Sequence, residues 1–218
     1  EIHVSHDGVN LNTFKQIDKN KAINLLSLDQ KINYLVYIGR FSTLGKEKGI
    51  PQIIESLKFL KENTTAIFVG GPLNHIDDYY EIAKNNNVDL NRLIFIDRQS
   101  VSELYKFIGA ASALLMPFPF TKHYAYYMSP IKMFEYMSSM RPIIASNLPS
   151  ICEVLKNKNN SILCEPDNPK DLATKINYVL NNDCSNIITQ AYKDVQEYTW
   201  DKRAENIKRF MNNKREAL

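Results

Sequence analysis

Short runs of β-branched and aromatic residues alternate along most of the chain with longer stretches in which apolar residues recur every three or four positions. The short runs are typical of strands in a buried parallel sheet, and the longer stretches are typical of amphipathic helices. The predicted strands span residues 34–38, 65–69, 93–96, 113–116, 142–145 and 161–164.

The helical spacing is clearest at 50–62, where Ile50, Ile53, Ile54 and Leu57 share one face. Further helices are predicted at 77–85, 101–108, 129–137, 149–155, 169–180, 186–198 and 201–213. Such alternation predicts an α/β fold: a doubly wound, six-stranded, mainly parallel Rossmann-like sheet with helices on both faces. Ligands of these sheets bind beyond the carboxyl ends of the strands, so the loops after positions 38, 69, 96 and 116 are the candidate binding segments.

Residues 1–30 do not share this alternation. Residues 2–9 predict a strand that enters a turn at Asp7-Gly8, and a polar stretch follows at 10–31. Because the first residue is Glu1 and not Met, we expect a piece of a longer protein. The expected division is an interdomain linker at 1–30, a ligand-binding domain at 31–200, and a C-terminal helix at 201–218 that packs back toward a missing N-terminal domain.

The composition excludes several classes of protein. With 218 residues, 44% of them hydrophobic, the chain can bury a substantial core. The net charge of +3 is too small and too dispersed to predict a nucleic-acid partner. Three cysteines without CxxC spacing predict neither a disulfide scaffold nor a zinc site. No apolar run approaches the roughly 18–20 residues that span a bilayer, so we expect a cytoplasmic protein.

The run at 129–137 predicts a helix start that suits an anion. Ser129 is a preferred N-cap residue, and Pro130 suits the first helical position. The amides of residues 131–133 are then predicted to be free for a phosphate, and the Lys132 ammonium adds to the same positive field. Glu135 follows about 6 to 9 Å further along the axis, roughly one ribose away. An ordinary capped surface helix is the alternative.

Two cations are predicted at the same edge of the sheet. Arg40 follows Gly39 at the end of the first buried strand, and Lys48 precedes the next helix. Glycine lets the backbone approach a ligand, Arg40 can bind phosphate oxygens in a fork, and Lys48 adds a point charge. With the helix start at Ser129, they predict a diphosphate clamp. The chain has neither GxGxxG after this strand nor GxxxxGK[ST], which argues against a dinucleotide oxidoreductase and a P-loop nucleotidase.

These motifs carry a family resemblance. The ordered segments YIGR, KG, FVGGP, SPIKMFEYMSSMRPIIASNLP, ILCEPDNP and YTW resemble the C-terminal, donor-binding half of retaining glycosyltransferases of the GT-B architecture, family four or group 1. The start HVSHDGVNLNTF resembles the segment that links the two halves. The resemblance implies a nucleotide-sugar-binding domain at 31–200, in which residues at the positions of Arg40 and Lys48 hold the donor diphosphate.

The resemblance implies further roles. Residues matching Ser129, Pro130 and Ile131 contact the diphosphate through the backbone, and the glutamate matching Glu135 binds the ribose hydroxyls. The loop at 97–99 frames the base. The resemblance thus predicts Arg40, Lys48 and Glu135 as catalytic residues. The predicted donor-binding residues are Gly39, Arg98, Gln99, Tyr127, Met128, Ser129, Pro130, Ile131 and Lys132.

The chain departs from the family pattern at one position. The family places a first acid eight positions before the ribose-binding glutamate, near the transferred sugar, and this chain has Tyr127 there. The loop at 118–128 is rich in aromatic residues, which can pack on a sugar ring. It can equally pack against the absent N-terminal domain.

The predicted function is that of a glycosyltransferase donor domain. It binds a UDP- or GDP-linked sugar, without a metal or other cofactor, and transfers the sugar with retention to a glycan or lipid-linked acceptor in polysaccharide biosynthesis. Basic residues of the final helix allow a peripheral contact with the inner face of the membrane. The alternatives are a nucleotide-sugar epimerase or hydrolase of the same fold, and a non-catalytic nucleotide-sugar-binding module.

Overall fold

The computed structural model describes residues 3–12, 16–43 and 45–216, and six of its strands form one parallel sheet. The strands of this sheet are β1 (Asn33–Arg40), β4 (Thr64–Gly71), β5 (Leu93–Asp97), β6 (Ala113–Met116), β7 (Ile143–Ser146) and β8 (Ile162–Cys164). Their spatial order is β5-β4-β1-β6-β7-β8, with every pairing parallel. Two short strands, β2 (Ser42–Thr43) and β3 (Lys46–Glu47), form a separate antiparallel hairpin.

Ten α-helices connect and cover the strands in the described part of the chain. They are α1 (Lys19–Leu25), α2 (Ile50–Ser56), α3 (Ile76–Asn85), α4 (Val101–Ala110), α5 (Lys122–Tyr126), α6 (Ile131–Met137), α7 (Pro149–Cys152), α8 (Pro169–Asn181), α9 (Ser185–Asp194) and α10 (Trp200–Glu216). Several predicted helices are shorter in the structure. The predicted helix at 50–62, for example, ends as α2 at Ser56 and continues only as a 3₁₀ turn, Leu57–Phe59.

Side chains of the central strands alternate between two hydrophobic cores. In β1, Leu35 and Tyr37 pack with residues of α2, α3 and α8, whereas Val36 and Ile38 pack with residues of α1, α4 and α6. Successive residues of a strand point to opposite faces, so a strand that is apolar at every position is buried on both sides. Helices cover both faces of the sheet, which confirms the predicted doubly wound α/β fold.

The sheet opens at its carboxyl-terminal edge between β1 and β6. β1 pairs with β4 along its full length, but it pairs with β6 only at Leu35 and Val36. Beyond this point the hydroxyl of Tyr136, on α6, accepts a 2.9 Å hydrogen bond from the amide of Ile38. Helix α6 therefore takes the place of the missing strand neighbour, and strand order reverses at the same point.

The predicted strand at 2–9 is wrong. The described residues 3–8 form no regular element, and Val9 makes a single isolated bridge to Thr199. The segment lies beside the start of α10, where Asp7 pairs with Arg203. Val4 is 65% exposed, so this apolar pattern has no sheet face to cover.

Helix α1 lies within the stretch that the sequence presents as polar. The Asp18 carboxylate caps it by accepting the amide of Lys21, and Ala22 and Ile23 are buried in the core. With only two buried apolar positions, α1 has too weak a periodicity to be seen in the sequence. The division into domains at positions 30 and 200 stays a prediction.

Replacing Tyr136 by Phe removes the hydroxyl that accepts the Ile38 amide. We expect the free energy of unfolding to fall by about 1–3 kcal/mol, because a buried N–H group is left without a partner. Urea denaturation measures this change. The exposed Tyr192 gives the control Tyr192→Phe, which should change stability by less than about 0.5 kcal/mol. Equal stabilities of the two variants would contradict the role of the Tyr136 hydroxyl.

Candidate functional site

Two adjoining cavities lie at the carboxyl-terminal edge of the sheet. The glycine cavity, named for Gly39, Gly70 and Gly71, has a volume of about 740 Å³. The lysine cavity, named for Lys46, Lys48 and Lys132, has a volume of about 440 Å³. Both flank the opening between β1 and β6, the position at which doubly wound sheets bind ligands.

The ends of β1, β4 and β5 form the glycine cavity. A Cβ atom on Gly70 would lie 2.0 Å from the carbonyl oxygen of Gly39, and the φ angle of Gly70 is +146°, so only glycine is accommodated there. The loop after β5 completes the wall with Asp97, Arg98 and Gln99. The predicted residues Gly39, Arg40, Arg98 and Gln99 all line this cavity.

The hairpin β2–β3, helix α5 and the start of α6 form the lysine cavity. Its lining residues are Asp7, Thr43, Lys46, Lys48, Phe118, His123, Tyr124, Met128, Ser129, Pro130, Ile131 and Lys132. The predicted residues Lys48, Met128, Ser129, Pro130, Ile131 and Lys132 are thus brought together. Asp7, its only carboxylate among the described residues, pairs with Arg203.

The start of α6 differs from the sequence-based prediction. Ser129 is not the N-cap: its hydroxyl accepts a 3.0 Å hydrogen bond from the amide of Asp7, and Pro130 occupies the cap position instead. The amide of Met133, predicted to be free, donates to the Pro130 carbonyl at 2.9 Å. Because α6 has only seven residues, the positive charge of this wall comes mainly from lysine side chains.

The Lys132 ammonium is the most unusual group of the site. Its Nζ atom is buried and has no hydrogen-bond partner within residues 3–12, 16–43 and 45–216. It lies 3.8 Å from the ring centroid of Tyr37 and 5.5 Å from that of Phe118. A Cβ atom on Gly39 would lie 3.1 Å from it. Burial, and then the charge of Lys48, hold the pKa of Lys132 well below its usual range.

Arg40 and Lys48 lie on either side of the boundary between the cavities. Arg40 lines the glycine cavity and Lys48 lines the lysine cavity, where burial and then the nearby Arg40 lower the pKa of Lys48. The Lys48 amide donates to the carbonyl of Phe41 at 3.0 Å, which fixes the end of the hairpin against β1. Arg40, Lys48 and Lys132 thus lie close enough for their charges to interact, and Lys132 has no hydrogen-bond partner among the described residues. Such a group of cations suits an anion.

Glu135 and Tyr127 do not line either cavity. Glu135 is half-buried one turn beyond Ile131, where burial raises its pKa and Lys132 partly offsets the rise. Tyr127 follows the last residue of α5, is 66% exposed, and its ring centroid lies 6.4 Å from that of Tyr126. The donor-binding role of Tyr127 stays a prediction.

Sequence reasoning missed three features of the site. It treated the loop at 118–128 as irregular, whereas Thr121 caps helix α5 by accepting the Tyr124 amide. It gave no role to Thr43, which lies in the hairpin, or to Asp7, which lies beside Ser129. Thr121 is a preferred N-cap residue, so the sequence did contain a signal for the start of α5. The contact between Asp7 and Ser129 joins residues 122 positions apart, and no local sequence pattern indicates it.

Among the described residues, no group of three or more His, Cys, Asp or Glu side chains is arranged to hold a metal ion. No helix in this part of the chain has both the length and the apolar character needed to cross a membrane.

The model of the family described as glycosyl transferases group 1 matches residues 32–182, which include the whole sheet and both cavity floors. The chain belongs to the group 1 glycosyltransferases. The match begins at the residue before β1 and ends just after α8, so it contains Arg40, Lys48 and α6.

Relatives in two organisms illustrate the family. An uncharacterized glycosyltransferase of Methanocaldococcus jannaschii is 26% identical over 173 residues, which are 76% of this chain and 45% of the relative. The D-inositol 3-phosphate glycosyltransferase of a Nocardioides species is 20% identical over 215 residues, 92% of this chain and 46% of the relative. The chain thus spans about half the length of the curated relatives it matches.

Solved structures share the fold of this chain. The HepE protein of Anabaena, solved in complex with UDP and glucose, superposes with a TM-score of 0.78 at 20% identity over 96% of this chain and 56% of that one. The C-terminal domain of a group 1 glycosyltransferase from Francisella tularensis superposes with a TM-score of 0.69 at 20% identity, over 88% of this chain and 100% of that domain. The sheet and its helices are therefore one half of the GT-B architecture.

Replacing Lys132 by Met should make the protein more stable. Folding must take the ammonium out of water or remove its proton, and both cost free energy, so the variant should gain about 1–3 kcal/mol in the free energy of unfolding. Urea denaturation at neutral pH measures the gain. The exposed Lys170 provides the control Lys170→Met, and a Lys132→Met variant no more stable than this control would contradict the unpaired state of the ammonium.

Proposed function

We propose that this chain binds a nucleoside-diphosphate sugar, UDP- or GDP-linked, as the donor of a retaining glycosyltransferase. One observation carries the proposal: the buried Nζ atom of Lys132 has no hydrogen-bond partner in the described part of the chain, and its charge interacts with that of Lys48 in the same cavity. An unpaired buried cation is unfavourable unless an anion completes it. A diphosphate supplies that anion.

The two cavities suit the two ends of such a donor. We assign the nucleoside to the glycine cavity, with the base at Arg98 and Gln99, and the sugar to the lysine cavity. The diphosphate then lies between Arg40 and Lys48. The HepE complex with UDP and glucose supports this assignment, since that protein shares the fold of this chain.

The charge of the site suits the chemistry of sugar transfer. Cleavage of the bond between sugar and phosphate leaves a more anionic nucleoside diphosphate and an oxocarbenium-like sugar. Cations fixed on the diphosphate stabilise this transition state more than the ground state. In the proposed reaction Arg40, Lys48 and Lys132 perform this role, and the sugar keeps its anomeric configuration. Glu135 lines neither cavity, so its binding of the ribose hydroxyls stays a prediction from the family resemblance.

The proposal also covers where the acceptor of the sugar binds. Because the chain spans about half of its relatives, we infer that a glycan or lipid-linked acceptor, in polysaccharide biosynthesis at the cytoplasmic face of the membrane, binds mainly to an N-terminal domain. Sugar transfer in the presence of both halves would support a catalytic role, whereas donor binding without any product would favour a non-catalytic binding module.

Donor binding can be tested directly with a panel of nucleotides. UDP, GDP, ADP and their sugars are added to the purified chain, and the melting temperature is measured. We expect UDP or GDP and its sugars to raise it, and Arg40→Ala to weaken the binding of that nucleotide about 10- to 100-fold, through loss of charged hydrogen bonds. The exposed Arg209 on α10 gives the control Arg209→Ala. A chain stabilised by none of these nucleotides would overturn the proposal.

The affinity for UDP or GDP should fall as pH rises. The pKa of Lys132 is lowered in the free site, and an adjacent diphosphate raises it again, so binding takes up a proton between the two values. Calorimetry from about pH 8 to 9, above the range in which the terminal phosphate titrates, should show a dissociation constant that rises at most tenfold per pH unit. Buffers of different ionisation enthalpy report the proton uptake. In the Lys132→Met variant the dissociation constant should no longer change with pH. If it changes as in the wild type, a group other than Lys132 takes up the proton.

A further inference from the structure

Thr43 lies at the boundary between the glycine cavity and the lysine cavity. Among the residues that the structure describes, it alone lines both of them. Any molecule that occupies the two cavities at once must pass this side chain. In a nucleoside-diphosphate sugar, the part that joins the nucleoside to the sugar is the diphosphate.

The hydroxyl of Thr43 has no partner of its own. Its Oγ1 atom is buried and makes no hydrogen bond to any other residue of the described ranges. Buried hydroxyl groups are otherwise almost always hydrogen-bonded, so an unpartnered one at a cavity wall indicates a ligand. The Ser129 hydroxyl in the lysine cavity differs, because it already accepts the amide of Asp7.

The hairpin that carries Thr43 is held in place on several sides. Thr43 pairs with Lys46 across the hairpin, and the carbonyl of Lys46 accepts a 3.3 Å hydrogen bond from the Tyr124 hydroxyl. The next residue, Glu47, accepts the Tyr79 hydroxyl on both carboxylate oxygens at 3.1 Å. The backbone at Thr43 is therefore held in place before any ligand binds, which lowers the entropic cost of a contact.

The neighbouring charges decide what this hydroxyl binds. The second unpartnered polar atom of the lysine cavity is Lys132 Nζ, and an ammonium can only donate. With Lys48 and Arg40 on either side, the boundary is rich in donors, and an acceptor-only group such as a phosphate oxygen satisfies all of them.

We propose that Thr43 is a further donor-binding residue, whose hydroxyl donates a hydrogen bond to an oxygen of the diphosphate where it crosses from the glycine cavity to the lysine cavity. The proposal rests on the proposed function, since it requires a nucleoside diphosphate to occupy both cavities. The hydrogen bond from Thr43 distinguishes a diphosphate from a monophosphate. A nucleoside monophosphate confined to the glycine cavity has no second phosphate at the boundary, so Thr43 contributes less to its binding.

The test compares Thr43→Val, which keeps the shape and removes the hydroxyl, with Thr43→Ser, which keeps the hydroxyl. Dissociation constants are measured for UDP, UMP, GDP and GMP. For the diphosphate that binds the wild-type chain, we expect Thr43→Val to weaken binding about tenfold, the effect of one hydrogen bond to a charged group. Thr43→Ser should restore it to within about threefold, and the matching monophosphate should change by less than about threefold.

Controls separate this contact from a general loss of structure. Thr174 on α8 is exposed and bonds only the Lys170 carbonyl, so Thr174→Val should bind like the wild type. If Thr43→Val does not fold, Thr43→Ala replaces it, judged by the same ratio of diphosphate to monophosphate affinity.

The outcomes distinguish the two proposals. If neither UDP nor GDP binds the wild-type chain, the proposed function fails. If one of them binds and Thr43→Val binds it equally well, only the role of Thr43 fails. Equal losses for diphosphate and monophosphate would also overturn the role of Thr43, because they would show a structural effect on the whole site.

Discussion

The hydrogen bond between the Tyr136 hydroxyl and the Ile38 amide is the contact on which the site depends. β1 extends beyond its pairing with β6, so its last amides need another partner. Tyr136 supplies it at 2.9 Å from the buried face of α6. Without this contact the buried amide would be unsatisfied. The hydrogen bond adds a specific register to α6, which Met133, Phe134 and Met137 already anchor in the core. The opening between β1 and β6, and both cavities that flank it, follow from this replacement of a strand by a helix.

The same helix places the Lys132 side chain where its Nζ atom has no hydrogen-bond partner among the described residues. Lys132 lies four residues before Tyr136 and therefore on the same side of α6, so the contact that fixes Tyr136 also directs Lys132 toward Tyr37 and Gly39. The aromatic ring offers only part of the stabilisation that water gives to an ammonium. Stability and the proposed binding of an anion thus oppose each other at Lys132.

The predicted site residues are grouped most closely around the boundary of the two cavities. Gly39 and Gly70 form a rigid floor, and Arg40 and Lys48 flank the boundary of the cavities. Tyr127, by contrast, is exposed and lines neither cavity. The chain spans about half of its group 1 relatives, so the proposed binding of an acceptor is assigned to the other half.

The sequence by itself determined the class of fold and the edge at which the site lies. Apolar runs buried on both faces specify a parallel sheet. Gly39 and Arg40 directly follow the first predicted strand and Lys48 precedes the next helix, so their place at the ligand edge is a local consequence of the pattern. These elements needed no knowledge of distant contacts.

Only the tertiary structure decided the details of the site. Ser129 has the sequence of an N-cap, but Asp7, 122 residues away, uses its hydroxyl. The Nζ atom of Lys132 and the hydroxyl of Thr43 lack hydrogen-bond partners because the fold places no suitable group of the described chain within hydrogen-bond distance. Local patterns determine the helices and strands because those depend on neighbouring residues, whereas the partners of a buried polar group depend on the packing of the whole chain.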